Sequence, residues 1–235
     1  MRMSRRRKKS DDEVTMQIHR YPLFLDMKDK KAAVFGGGAV AARKIKFLLQ
    51  CGAKVEAVSR EFSKELLRAA KKNQKLRLHF LKKPPHPTPL PRRGRRKGEG
   101  ASPGSFLKGA VLAFAASSDP ECNRGMVREC RKKKIWVNAA DDPEFCDFFV
   151  PSVLKRGKLQ IAISTGGASP LLARKLREEL ARKIRPEAVK VLARLERLRP
   201  LAKKRISNQK ERQKFFEKRL GRNFQFLTGR NGTKE

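Results

Sequence analysis

The chain has 235 residues, with 59 lysines and arginines against 23 aspartates and glutamates, a net charge of +36. At roughly 100–200 residues per domain that length fits one α/β core and a smaller second lobe, and a hydrophobic content of 39% is too high for a wholly disordered chain. No run of about 18 apolar residues is present, so no membrane-spanning helix is expected, and no apolar segment follows the basic start, so no secretory signal is expected.

In chain order, residues 1–17 read as a basic disordered tail, and residues 1–10 alone carry six basic groups and no acid. Lys31 to Phe35 is a short apolar strand that ends in Gly36-Gly37-Gly38. Apolar residues at 41, 45, 48 and 49 then suit one face of a helix. Gly52 stands where a helix-ending glycine is expected. Val55 to Val58 reads as a second strand. Strand, glycine turn, helix and strand make a βαβ unit, whose strands are parallel. Ser63 to Lys72 continues as helix and Leu76 to Leu81 as strand.

An insertion follows at about residues 82–108, with eight basic groups against Glu99. From Pro84 to Ser105 it holds six prolines and four glycines in 22 residues. Such a segment cannot bury enough apolar surface to offset its ordering entropy. It reads as an expansion at a surface loop tip. Arg92, Arg93, Arg95, Arg96 and Lys97 leave a nucleic-acid-binding arm as the alternative, although no aromatic residue is interleaved with them.

Beyond it, Ala110 to Ala116 is a strand. Asp119-Pro120 caps a helix running to about Lys133, and Ile135 to Val137 is another strand. This alternation argues for a parallel, doubly wound sheet. Phe148 to Pro151 and Leu159 to Ile163 look like two strands of a small lobe. Past Ser169-Pro170 the chain is helical and basic. Residues 174–235 carry 21 basic groups against seven acids, so only +9 is left outside residues 1–10, the insertion and this last third. The four cysteines, Cys51, Cys122, Cys130 and Cys146, form no Cys-x-x-Cys pair. They point to reduced thiols and a cytoplasmic location, and Cys122 and Cys130 read as packing residues of one helix.

Gly36-Gly37-Gly38-Ala39-Val40-Ala41 fits the G-x-G-x-x-A pattern of dinucleotide-binding turns. The first glycine allows the tight turn, Gly38 lets backbone approach a pyrophosphate, and Ala41 lets the helix pack closely on the sheet. The helix start supplies N–H groups and a positive dipole end for phosphate. A ribose-binding acid should follow about 20 residues later. The chain has Arg60-Glu61 there, which leaves NAD and NADP both open. Asn138-Ala139-Ala140-Asp141 follows the last strand of the sheet, where ligand chemistry gathers. Asp141 is placed either for catalysis or for a turn. Ser164-Thr165-Gly166-Gly167-Ala168-Ser169-Pro170 makes an anion-binding nest, a helix cap, or both.

Tyr21 to Leu25, the Gly36–Ala41 turn with Arg43-Lys44, Asn138 to Asp141, Phe149-Val150-Pro151-Ser152 and Ser164 to Pro170 with Leu172-Ala173-Arg174 occur in one order. Together they resemble the precorrin-2 dehydrogenase family, which includes the N-terminal part of bacterial sirohaem synthase. The resemblance covers roughly residues 18–222. It implies a Rossmann domain over 18–147, an α+β dimerisation lobe over 148–170, a helical lobe over 171–222 and a tail over 223–235. It also implies NAD-dependent oxidation of precorrin-2 to sirohydrochlorin by a homodimer, joined in some members by ferrous iron insertion to give sirohaem.

By the same resemblance, Gly36, Gly37, Gly38, Ala39, Val40, Arg60 and Glu61 hold the cofactor. Asn138, Thr165, Gly166, Gly167 and Ser169 meet the tetrapyrrole. Asp141 is the general base and the group tied to iron. Arg60 departs from the family, which usually has a smaller residue there. No methyltransferase domain follows, so a stand-alone enzyme is expected. The polycarboxylate substrate would give a positive cleft a use. The other function considered is a basic nucleic-acid-binding or dinucleotide-sensing regulator on the same core.

Overall fold

The computed structural model describes residues 20–81, 106–140 and 142–228. The basic tail, the Pro84–Ser105 stretch and Asp141 lie outside the described residues. The chain divides into two units, one spanning residues 21–149, the other residue 20 with 150 onward.

The first unit is a five-stranded parallel sheet. Its strands are β1 (Lys31–Phe35), β2 (Lys54–Ser59), β3 (Leu76–Phe80), β4 (Ala110–Ala115) and β5 (Trp136–Ala139), in the order β3-β2-β1-β4-β5. Helices α1 (Ala39–Gln50), α2 (Lys64–Lys72) and α3 (Pro120–Lys132) connect or flank them. Side chains alternate across a strand, so a sheet covered on both faces needs apolar residues at successive positions. Lys31-Ala-Ala-Val-Phe meets that need. Ala32 and Val34 enter one core with Ala41, Ile45, Leu48 and Leu66 from α1 and α2. Ala33 and Phe35 enter the other with Cys122, Met126, Val127 and Cys130 of α3.

Phe106 and Leu107 are buried in this second core, Leu107 completely. The sequence reading carried the insertion through residue 108; the chain is back in the core by Phe106, because those side chains have a core to fill. Leu107→Ala is expected to cost about 2–5 kcal/mol, the usual range for a buried leucine truncation. A denaturant midpoint unchanged from the parent would contradict the packing.

Two further boundaries differ from the sequence reading. β5 starts at Trp136 and runs to Ala139, so Asn138 lies inside the strand, paired with Phe114 of β4. Ile135 instead donates its N–H to Cys130 O, and Lys134 takes a left-handed φ of 55°. The second unit's strands are β6 (Ser152–Arg156) and β7 (Leu159–Ile163), an antiparallel pair turned at Gly157 with φ 57°. Phe148 to Pro151 forms no strand. The Phe148 ring packs edge-on against Phe114, 5.3 Å between centroids, within the first unit.

Helices α4 (Pro170–Lys183), α5 (Glu187–Arg205) and α6 (Gln209–Thr228) complete the second unit. Arg156 at the end of β6 donates to the carbonyls of Ala181 and Ile184 at the end of α4. A cation there complements the negative helix end. No described helix is long and apolar enough to cross a membrane.

Candidate dinucleotide site

Three segments meet at the carboxyl ends of the strands: the β1–α1 turn, the β2–α2 segment and the loop after β4. They line a cleft of about 810 Å³ that includes Phe35 to Val40, Ser59 to Ser63 and Ala116 to Asp119. β1 and β4 are neighbours in the sheet, while the chain passes from β1 outward to β2. The cleft therefore sits at the point where the strand order reverses, the usual ligand position in open α/β sheets.

The three glycines of the turn do different work. Gly36 has φ 126°, and an added Cβ would come 2.2 Å from Ala116 O. Its N–H donates to Val58 O across the sheet. At Gly37 a Cβ would come 1.9 Å from Glu61 O and 2.9 Å from Ser59 Oγ. These two residues are buried and fix the turn against β2 and β4. Gly38 is the opposite case: it is exposed, and a Cβ there would meet nothing within 4 Å. Its open face looks into the cleft that a ligand would fill.

Gly38 is also the N-cap of α1, and no side chain caps that end. By contrast, Ser63 caps α2, Asp119 caps α3 and Ser169 caps α4 through their side chains. The first N–H groups of a helix need partners, and those of α1 open on the cleft among Gly38, Ala39 and Val40. No acidic residue stands in the first turn of α1. This geometry suits a diphosphate. The predicted cofactor residues Gly36 to Val40, Arg60 and Glu61 all line this one cleft.

The loop after β4 was read from sequence only as a helix start, yet Ser117, Ser118 and Asp119 form the far wall of the cleft. Their place follows once β4 is known to lie beside β1. The loop is stiff: Ser117 Oγ donates to Asn123 Oδ1 at 2.8 Å, and Asn123 Nδ2 donates to Ser117 O at 3.0 Å. Asp119 accepts from the Cys122 thiol at 3.0 Å and the Cys122 N–H at 3.1 Å. The thiol hydrogen bond, then the backbone one, holds its carboxyl below the ordinary value.

Burial, and then the Asp119 carboxylate, push the Cys122 thiol up to about 11; burial pushes Cys130 to about 12. Thiols react as thiolates, so a maleimide at pH 8 is expected to leave Cys122 and Cys130 unlabelled in the native chain. Rapid labelling of both, read by peptide mass, would contradict their packing.

Asn138 is buried, and its amide is held from both ends. Lys44 Nζ of α1 donates to Oδ1 at 2.8 Å, and Nδ2 donates to Phe148 O at 3.0 Å and towards Cys146 Sγ at 3.4 Å. Asn138 thus ties α1, β5 and the 142–148 segment together. Cys146 Sγ also accepts from Ala139 N–H at 3.2 Å. Ala140, just before Asp141, donates its N–H to Ala115 O at 2.8 Å.

In the second unit, Thr165, Gly166, Gly167 and Ser169 form one tight turn. Ser169 N–H donates to Thr165 Oγ1 at 3.2 Å, and Thr165 Oγ1 donates to Ser169 O at 3.0 Å. Gly166 and Gly167 take φ 65° and 93°. Ser169 Oγ accepts from Leu172 N–H at 3.1 Å, so the helix-cap reading of this serine holds. Arg20 donates to Gly166 O at 2.5 Å. The structure brings these four residues together, and Asn138 belongs to the other unit.

Residues 23–152 match a family model described as "Putative NAD(P)-binding", and residues 156–183 match one described as sirohaem biosynthesis protein central. The chain is 33% identical over 196 residues to a sirohaem synthase of Methylobacillus flagellatus, covering 83% of this chain and 38% of that protein. It is 36% identical over 200 residues to a sirohaem synthase of Nitrosomonas europaea, covering 85% of this chain and 38% of that protein. The chain thus spans well under half the length of these curated relatives. Among solved structures it matches SirC, a precorrin-2 dehydrogenase, with a TM-score of 0.64 and 24% identity, covering 88% of this chain and 92% of that one. That likeness shows the same fold.

Proposed function

Because the chain belongs to the NAD(P)-binding family matched over residues 23–152, we propose that it oxidises precorrin-2 to sirohydrochlorin with a nicotinamide dinucleotide, NAD being the cofactor the resemblance implies. The observation that carries the reading is the uncapped α1 start with exposed Gly38, set in the cleft at the strand-order reversal. The curated relatives named as sirohaem synthases add the substrate class.

The bound dinucleotide supplies the hydride acceptor. The residues of the chain do the rest. Gly38, Ala39 and Val40 offer backbone N–H groups to its phosphates, and Gly36 and Gly37 let the turn close down on β2 and β4. Asp141 is assigned the proton that leaves the macrocycle, and Asn138, with Lys44 and Cys146, orients the strand end that leads to it. Thr165, Gly166, Gly167 and Ser169 are assigned to the tetrapyrrole. A carboxylate general base is worth about 10²–10⁴ in rate.

A second copy of the chain is the expected partner, with residues 148–170 as the dimerisation lobe and 171–222 as a helical lobe. Leu171, Leu172 and Leu176 are exposed on α4 and support self-association. Four free cysteines fit a cytoplasmic setting. Ferrous iron is proposed as a second substrate, through Asp141. The test of the reaction is anaerobic incubation with precorrin-2 and dinucleotide. The sirohydrochlorin spectrum is the expected result, and an unchanged spectrum would overturn the assignment.

A further inference from the structure

We propose that Asn123 is a positioning residue for the dinucleotide: it stands outside the cleft lining and holds the Ser117–Asp119 wall in place against the glycine turn. The proposal rests on the dinucleotide reading of the cleft and adds to it the residue that fixes the cleft's width.

The wall is a loop, and a loop leaves backbone groups without ladder partners. β4 ends at Ala115, and Ala116 N–H still donates to Phe35 O at 2.7 Å. From Ser117 onward the chain has left the sheet. Ser117 N–H donates to Asn123 Oδ1 at 3.1 Å, and Asn123 Nδ2 donates to Ser117 O at 3.0 Å. One side-chain amide thus takes both backbone groups of one residue, as a neighbouring strand would. The same Oδ1 accepts from Ser117 Oγ at 2.8 Å, and Ser117 Oγ accepts from Asp119 N–H at 3.2 Å. Asn123 is itself fixed near the start of α3, where its N–H donates to Asp119 O at 3.1 Å.

The held atoms face the glycine turn. A Cβ on Gly36 would come 2.2 Å from Ala116 O and 3.0 Å from Ser117 N. Ser117 therefore sets how closely loop and turn approach, and the cleft lies between them.

The residue type follows from this task. The side chain accepts from an N–H on one atom and donates to a C=O from the other, the pairing an amide offers. An aspartate accepts but cannot donate, and a leucine does neither. Helix capping does not account for Asn123, because Asp119 already caps α3 through Cys122 N–H. Asn123 directs its amide to the loop instead.

The test is titration calorimetry of the full chain with NAD, joined by steady-state precorrin-2 oxidation with the dinucleotide varied. The variants are Asn123→Leu, Asn123→Asp and a stability control, Leu107→Ala, whose side chain is buried away from the cleft lining. Titrations run at high salt, where the charge added by the aspartate is screened. At metal sites, removing the outer partner that orients a ligating group costs about 10–100-fold. By that measure Asn123→Leu should raise the NAD Kd and the dinucleotide KM about ten-fold or more, with kcat at saturating dinucleotide close to that of the parent. Asn123→Asp, which keeps the acceptor and loses the donor, should fall between the two. Leu107→Ala should melt lower than the parent and keep its dinucleotide KM, which is how a residue that only stabilises the chain behaves. An unchanged NAD Kd in Asn123→Leu or, should that variant not fold, in Asn123→Asp would overturn the proposal while leaving the dinucleotide site standing. Failure of the parent chain to bind NAD would overturn both readings.

Discussion

Gly37→Ala should cost the chain its dinucleotide site and much of its stability, whereas Gly38→Ala, one residue on, should cost it only the ligand. At Gly37 the new methyl would lie 1.9 Å from Glu61 O. That is backbone against backbone, and Gly37 O is itself fixed as the acceptor for Ser63 N–H at 2.9 Å. Neither side can yield without moving the β2–α2 segment. Overpacking of this kind typically costs about 1–3 kcal/mol or more. In a chain of this size each kcal/mol lowers the melting temperature by roughly 2–4 °C.

Gly38 has free space where a Cβ would stand and an ordinary φ of −84°. Its alanine should melt as the parent does and yet bind dinucleotide at least about ten-fold more weakly, because the methyl occupies the approach of the pyrophosphate. Equal melting temperatures for Gly37→Ala and the parent, or equal affinities for Gly38→Ala and the parent, would each refute this division of labour.

The second large effect is expected at Asp141. Asp141→Ala should lower the rate of precorrin-2 oxidation by about 10²–10⁴, the range for removal of a positioned general base. Dinucleotide affinity should stay close to that of the parent, since the carboxylate is not assigned to the phosphate cleft. The neighbouring anchors give this variant a control. Asn138→Leu removes the acceptor of Lys44 Nζ and the donor to Phe148 O in one step. Lys44 and Phe148 are half-buried, so loss of these bonds is expected to cost about 1–3 kcal/mol in all. Asn138→Leu should therefore lose stability along with rate, and Asp141→Ala should lose rate alone. A fully active Asp141→Ala would remove this residue from the reaction.

The glycine turn and the βαβ unit were legible because local rules govern them. A left-handed or sterically closed position demands glycine, and the apolar run of β1 announces a strand covered on both faces. The end of β5 was harder. Asn138 is polar, and polarity in a short run reads as loop, yet here the amide is satisfied by three groups from α1 and the 146–148 segment. No one-dimensional pattern displays such a distant pairing.

The same holds for Phe148 to Pro151. Its apolar character suggested a strand, but Phe148 spends that character on Phe114, and Pro151 has no N–H to give a ladder. The wall formed by Ser117 to Asp119 was missed for a topological reason: its function depends on β4 lying beside β1, which is a property of strand order. The +36 charge was the most conspicuous feature and the least informative, since most of it falls on the N-terminal tail, the insertion and the C-terminal helices.

In the proposed reaction, one cleft and one aspartate couple dinucleotide reduction to tetrapyrrole oxidation. The direct test is a stoichiometric one, in which precorrin-2 and oxidised dinucleotide are mixed anaerobically with the full chain while both absorbances are followed. Sirohydrochlorin and reduced dinucleotide should rise together in equal amounts, with neither formed by Asp141→Ala on the same timescale. Dinucleotide binding without any reduction, or sirohydrochlorin formed without reduced dinucleotide, would contradict it.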